Sequence, residues 1–248
     1  MIDVNTSASV DDLVDNLRSE LSCHADPARA VGERQYLKSE LEHLGVSVPV
    51  TRRIVGQAIR TAPALGRDEV TAAAKALWTP LVHEYRLAAA LLLAAHLDVL
   101  TGAQLSVVKE MLLECGTWAL VDQLAIPVAG GLLLRDPAVE PTYRRWAAED
   151  QLWVRRGGIL AFVPAMRRAD AFGRHFPTLT EVVEPLLDDR RFFVRKAIGW
   201  VLREATKCDA GRVVDWLCPH LDHVSGVTMR EVTRHLPPPL LDRLGRGG

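Results

Sequence analysis

The chain has 248 residues, 48% of them hydrophobic and 25% charged, an ordinary globular balance that excludes a disordered chain. Thirty Lys and Arg oppose thirty-one Asp and Glu, so the molecule is nearly neutral; this excludes a polybasic tail protein but not a locally basic face. Four scattered cysteines (Cys23, Cys115, Cys208, Cys218) form no CxxC pair and read as reduced, buried thiols of a cytoplasmic protein.

Residues 1–25 read as an acidic N-terminal helix without signal-peptide character: Val10, Leu13, Val14, Leu17 and Leu21 fall on one helical stripe. Similar stripes predict helices over 27–43, 50–60, 67–78, 83–99, 103–114, 117–125, 138–147, 150–168, 178–187, 191–205, 209–217 and 226–235, with 236–248 as a flexible tail. Strand-like alternation is nearly absent, and its closest instance, residues 46–50, is short and contains Pro49. The apolar stretch Leu87 to Leu100 is too short to span a bilayer and carries His96 and Asp98, so no membrane partner is expected. The expected fold class is all-α, as one domain over residues 1–248.

A repeat lies within the helices. Trp153-Val154-Arg155-Arg156-Gly157 is echoed by Phe193-Val194-Arg195-Lys196-Ala197 and by Val227-Thr228-Met229-Arg230-Glu231, with Tyr85-Arg86-Leu87-Ala88 as an earlier copy. With Arg155, Arg195 and Arg230 as register, the spacings are 40 and 35 residues, close to the roughly 40–47 of HEAT-type helical pairs. Such pairs bury their apolar faces only by stacking. The expected architecture is therefore a right-handed α-solenoid of HEAT-like antiparallel pairs with a concave basic groove. Charge is uneven: residues 1–140 hold 12 basic and 18 acidic side chains, residues 141–248 hold 18 and 13. Most of the cations are Arg, whose fork suits phosphate, so the C-terminal half is expected to meet an anionic partner.

The chain has no HExxH, P-loop, GxGxxG or GxSxG motif, and its eight histidines form no metal-ligand pattern, so no metal and no cofactor are expected. The segment Gly116-Thr117-Trp118-Ala119-Leu120-Val121-Asp122 stands out. Trp118 and Asp122 are four residues apart and share a helical face, although Asp is a poor helix former and costly to bury unpaired. In the repeat register Asp122 stands 33 residues before Arg155, roughly where other copies carry Arg. The plain alternative is a core tryptophan beside a structural ion pair. In a second cluster, Arg195 to Glu204, Gly199 lets something approach the backbone beside Trp200 while Arg195, Lys196 and Arg203 reach outward. The alternative there is an amphipathic helix with a solvated charged face.

Trp118-x-x-x-Asp122, Trp153-Val154-Arg155-Arg156 and Lys196-Ala197-Ile198-Gly199-Trp200-Val201-Leu202-Arg203-Glu204 together resemble the signatures of AlkD-type DNA glycosylases. Tyr36-Leu37-Lys38, Leu44-Gly45-Val46 and Pro49 are similar to that family's opening helices, and the resemblance covers roughly residues 28–235. It implies a HEAT-like solenoid that hydrolyses the N-glycosidic bond of cationic alkylpurines such as N3-methyladenine and N7-methylguanine in double-stranded DNA. It also implies that the lesion is held without flipping; the enzyme is expected to be monomeric and cofactor-independent. Carried over by motif, the aspartate is Asp122, the two cleft tryptophans are Trp118 and Trp200, and the DNA-clasping arginine is Arg156, with Arg155 as rival. Arg195, Lys196, Arg203 and Arg230 complete the expected DNA-binding set.

Two departures bear on substrate size. The family's methionine ahead of Tyr-x-Lys is missing from Gly32-Glu33-Arg34-Gln35-Tyr36, and Gly157-Gly158 is small for a helix interior and is expected to widen the groove near Arg156. Members that remove bulky purine adducts in toxin self-resistance share the same core residues. A non-catalytic helical scaffold that binds DNA or protein is the alternative from another class.

Overall fold

The computed structural model describes residues 4–245, and among these there is no β-strand, only an isolated bridge between Glu42 and Val82. Two compact units divide after Leu124. The first holds α1 (Val4–Cys23), α2 (Pro27–Leu37), α3 (Val48–Thr61), α4 (Arg67–Trp78), α5 (His83–Ala95), α6 (Leu105–Glu114) and α7 (Trp118–Gln123). The second holds α8 (Gly130–Arg135), α9 (Glu140–Ala148), α10 (Leu152–Leu160), α11 (Val163–Met166), α12 (Ala169–Val183), α13 (Phe192–Leu217), α14 (Gly226–Val232) and α15 (Pro238–Arg243).

The first unit shows how local signals set the helices. In α4 the buried residues Val70, Ala73, Ala74, Leu77 and Trp78 form the stripe, Asp68 and Glu69 occupy the first turn, and Lys75 lies in the last. In α2, Asp26 accepts the Arg29 N–H at 3.0 Å and Pro27 opens the helix. This helix stops at Leu37 rather than at residue 43, because Lys38 turns left-handed (φ 49°) and caps it. The chain then runs as a loop to Ser47. Within it Gly45 (φ 81°) is required, since a Cβ would lie 2.1 Å from the Asp26 carbonyl oxygen. The loop is held from below by fully buried Glu84, whose carboxylate accepts the N–H groups of Leu44, Gly45 and Val46 at 2.9, 2.7 and 3.1 Å. Val48 and Pro49, in the stretch nearest to a strand by sequence, instead open α3.

In the second unit the expected 150–168 helix divides into α10 and α11, and the expected 178–187 helix begins at Ala169. The stripe Phe172, His175, Phe176, Leu179, Val182 and Val183 continues through Pro177, so packing outweighs the lost N–H bond. Helix α13 breaks at Asp209 (φ −152°, ψ 90°), whose carboxylate accepts the Arg212 N–H at 2.9 Å; this matches the expected division between 191–205 and 209–217. Gly158 does not widen a groove. A Cβ there would meet the Ala147 backbone nitrogen at 2.5 Å and the Tyr143 oxygen at 2.7 Å, so it sets the close approach of α10 to α9. The expected flexible tail contains α15, which packs on α13 and pairs Arg243 with Asp215; residues 246–248 lie outside the described residues.

All four cysteines are free, but only Cys115 is buried; Cys23 is exposed, and Cys208 and Cys218 are intermediate. Among the described residues, Trp118–Arg135 is the one helical stretch long and apolar enough to cross a membrane; more than half of it is buried within the fold and it contains Asp122.

Candidate functional site

Five helices start at a regular interval: α5 at His83, α7 at Trp118, α10 at Leu152, α13 at Phe192 and α14 at Gly226, spaced by 35, 34, 40 and 34 residues. Counted from these starts, the fourth residues are Arg86, Val121, Arg155, Arg195 and Met229, and the fifth are Leu87, Asp122, Arg156, Lys196 and Arg230. Counted this way Arg86, Arg155 and Arg195 keep the expected register, and Arg230 falls one residue out of it. Asp122 is the counterpart of Arg156, Lys196 and Arg230, the single acid at a position otherwise held by cations or Leu87.

The two positions do different work. At the fourth, each arginine donates its Nε to a carbonyl six residues back: Arg86 to Pro80 at 3.4 Å (and to Trp78 at 3.0 Å), Arg155 to Glu149 at 2.7 Å, Arg195 to Asp189 at 2.7 Å. The guanidinium closes the turn into its helix and satisfies carbonyls at the end of the preceding segment. Arg155 also pairs with Asp150 and Asp189 at 3.0 and 2.8 Å, and Arg191 grips the same Asp189. Arg155, predicted as a DNA ligand, thus has its donors turned onto the protein itself, and Arg195 commits its Nε in the same way.

In the first unit, Gly116 (φ 63°) reverses the chain after α6 and Thr117 caps α7, its hydroxyl accepting the Ala119 N–H at 3.4 Å. Trp118 and Asp122 then project from one face. The indole is half-buried and meets the Tyr36 ring edge-on, with centroids 6.1 Å apart and planes at 82°. Tyr36 itself is 73% exposed, an unusual setting for a large aromatic ring. Asp122 is buried, 8% exposed, and follows the fully buried Cys115 thiol, which burial pushes up, against the Arg86 charge and with the Asp122 carboxylate adding to the rise. Immediately after α7 the backbone opens into a π turn, Leu124–Ala129, around Pro127, a distortion that recurs next to functional sites.

The second unit carries the remaining predicted residues. Trp200 on α13 is half-buried and donates its Nε1–H to Glu204 at 3.2 Å. Glu204 is buried among cations, accepting from Arg167 at 2.9 Å and Lys207 at 2.6 Å; burial opposes its ionisation, and these two cations overcome that and lower its pKa. Lys196 and Arg203 share Glu231 of α14. Gly199 admits that helix, since a Cβ would stand 2.7 Å from Glu231 Cβ, and this is the close approach read in the sequence. Arg156 is 3% exposed, donates to the Phe193 carbonyl at 2.8 Å and lies 5.9 Å from the centre of the Phe193 ring. Phe193 in turn touches Trp153 and Phe192, the latter 54% exposed. Arg230 is exposed. Tyr36 and Phe192 were not among the predicted site residues; their exposure is what marks them, and sequence carries no signal of it beyond Tyr36's place in the opening motif. Among the described residues one histidine–carboxylate cluster has metal-ligand spacing, Glu33, His43 and Glu84, and it shares no residue with the set above.

The family model for DNA alkylation repair enzymes matches residues 17–236. Among solved structures, a predicted DNA alkylation repair enzyme from Enterococcus faecalis superposes with a TM-score of 0.73 at 19% identity, covering 86% of this chain and 97% of its own. AlkD2 from Streptococcus mutans superposes at 0.57 with 14% identity, covering 83% and 97%. A search of the curated proteins gave no match.

Proposed function

Because the chain belongs to the DNA alkylation repair enzyme family, we propose that it is a DNA glycosylase that hydrolyses the N-glycosidic bond of positively charged alkylpurines, of the N3-methyladenine and N7-methylguanine type, without flipping the base. The observation that carries this reading is Asp122, a buried carboxylate one helical turn after a half-buried indole, at the repeat position where the following three copies carry cations. A scaffold for DNA gains nothing from an acid there, since it repels phosphate.

The chemistry suits these residue types. An N-alkylated purine is already cationic and departs without strong acid assistance, leaving an oxocarbenium ion at the deoxyribose. A fixed carboxylate stabilises that developing charge more than it stabilises the ground state, and it orients the attacking water. Indole faces attract cations by about 0.5–2 kcal/mol each, which is the role the motif match gives to Trp118 in the first unit and to Trp200 in the second. Tyr36, edge-on to Trp118, fixes the plane of that indole. Exposed Arg230 and partly exposed Lys196 are assigned to phosphates, which set position and affinity. Arg156 matches the clasping arginine by motif; buried against Phe193, it is expected to contribute to stability as well as to DNA affinity.

The test is release of 7-methylguanine from methylated duplex DNA. Wild type is expected to release it, and Asp122→Asn, folded and still binding DNA, to be slower by about a hundred- to a thousand-fold. Folded wild-type protein that binds such DNA and releases no base overturns the catalytic reading for this lesion class.

A further inference from the structure

We propose that Glu33, His43 and Glu84 form a binding site for a divalent cation of the zinc class within the first unit. Three segments supply it: α2, the loop that follows it, and α5, which is remote from both in sequence. The inference does not rest on the glycosylase reading.

The first argument is hydrogen-bond accounting. Buried polar atoms are nearly always paired. Among the described residues, five buried side-chain nitrogen and oxygen atoms have no hydrogen-bond partner in the protein. Four of them gather here: Glu33 Oε2, both ring nitrogens of His43, and His83 Nδ1. The His43 side chain is only 1% exposed, and its Nδ1 stands 4.0 Å from Glu33 Oε2. One ligand atom from each of Glu33, His43 and Glu84 lies within 4.8 Å of the others. Bonds of roughly 2.0–2.1 Å in a tetrahedral shell place ligand atoms about 3.3 Å apart, so modest side-chain rotation closes the set.

The chemistry of the donors agrees. Two carboxylates and a neutral imidazole offer two negative charges to a divalent ion, and the mixed N/O set favours zinc, cobalt or nickel over calcium or magnesium. The outer hydrogen bonds are those of an oriented ligand set. Glu84 accepts three backbone N–H groups yet keeps a lone pair on Oε2, which takes only one of them, and Glu33 Oε1 accepts from Arg29 at 3.3 Å. The His83 ring lies flat on that of His43, centroids 4.5 Å apart at 10°, and closes one side. A bound cation would tie the loop carrying His43 to α2 and α5.

The experiment uses the full chain, stripped with EDTA and titrated with Co2+, followed by visible absorption, then challenged with Zn2+. Expected are one equivalent of Co2+ giving ligand-field bands, displacement by Zn2+, and a Tm that rises about 3–5 °C per tenfold excess of Zn2+ over its Kd. Glu33→Gln, on a part-exposed helix face, and His43→Gln should each weaken binding at least about tenfold. His24→Ala, at an exposed histidine, should leave it unchanged. Absence of both the bands and the Tm shift in wild type, as for a site occupied by water, overturns the proposal. So does retention of wild-type affinity in a helical, folded Glu33→Gln protein.

Discussion

The two units apply one helix register to opposite charges. The first unit has 11 Lys and Arg against 16 Asp and Glu, and its fifth positions are Leu87 and Asp122; the second has 19 against 15, and its fifth positions are Arg156, Lys196 and Arg230. The fourth position behaves otherwise. Arg86 in the first unit and Arg155 and Arg195 in the second all reach back to a carbonyl at the preceding turn. In a repeated architecture, a side chain that recurs with the same partner serves the fold. A position whose charge differs between copies is set by something other than the shared fold, and at Asp122 and Arg156 the side chain is buried. On this reading the acid belongs to the sugar and the cations to phosphate.

The largest expected effect separates Asp122 from its counterparts. Asp122→Asn should lower single-turnover release of 7-methylguanine by about a hundred- to a thousand-fold, while Lys196→Gln, at the same register position, should change the rate only slightly and weaken DNA binding instead. Equal rate losses in the two variants would erase the distinction between the units.

Next in size is the fourth position. Arg155→Ala removes donors from two carbonyls and from two carboxylates, one of them the nearly buried Asp189. Hydrogen bonds of charged groups in such settings are worth about 1.5–3 kcal/mol, so Tm should fall by roughly 3–12 °C in a chain of this size, with activity kept at temperatures where the variant is folded. A variant that keeps its Tm and loses DNA affinity would move Arg155 from the fold to the interface.

Much of this was legible in the sequence. The all-α class follows from apolar stripes strong enough that α4 runs over the predicted residues 67–78. The AlkD-type motifs pointed to the family whose model matches residues 17–236, and Trp118, Asp122, Arg156 and Trp200 are the site residues they propose. What the sequence hid was tertiary. Lys38 ends α2 by adopting a left-handed conformation that a lysine does not advertise. Pro177 sits inside α12 because the aromatic stripe around it is worth more than one hydrogen bond. The role of Gly158 depends on the backbone of α9, which no local pattern reports. The exposure of Tyr36 and Phe192, and the meeting of Glu33, His43 and Glu84, depend on segments brought together only by folding.

A smaller effect tests the arginine turn of the second unit by pH. The Asp189 carboxyl lies well below its ordinary 3.8, held chiefly by the Arg191 side chain, against the cost of burial, with help from the Arg191 N–H and from Arg155. The folded state therefore binds this proton less readily than the unfolded chain does. The stabilisation is complete above the unfolded pKa and drains away as pH falls below about 4. Urea midpoints of wild type should drop between pH 5 and 3 more steeply than those of Asp189→Asn, which starts lower and lacks that component. Parallel pH profiles would show that the ion pair does not couple to folding.

The smallest effect falls on Arg230, and it decides how far the fifth-position rule extends. This arginine is exposed on α14, so Arg230→Ala should leave stability within about 0.5 kcal/mol and the chemical step untouched. If it meets a phosphate, DNA affinity should fall several-fold at low salt, and the slope of log K against log salt should become shallower by about 0.9. A shallower slope at unchanged Tm would show that the repeat register delivers cations to the DNA backbone as far as the last copy. An unchanged slope would confine that role to Arg156 and Lys196, and the positive charge of the second unit would then be concentrated next to Phe193 and Trp200 rather than distributed along the repeats.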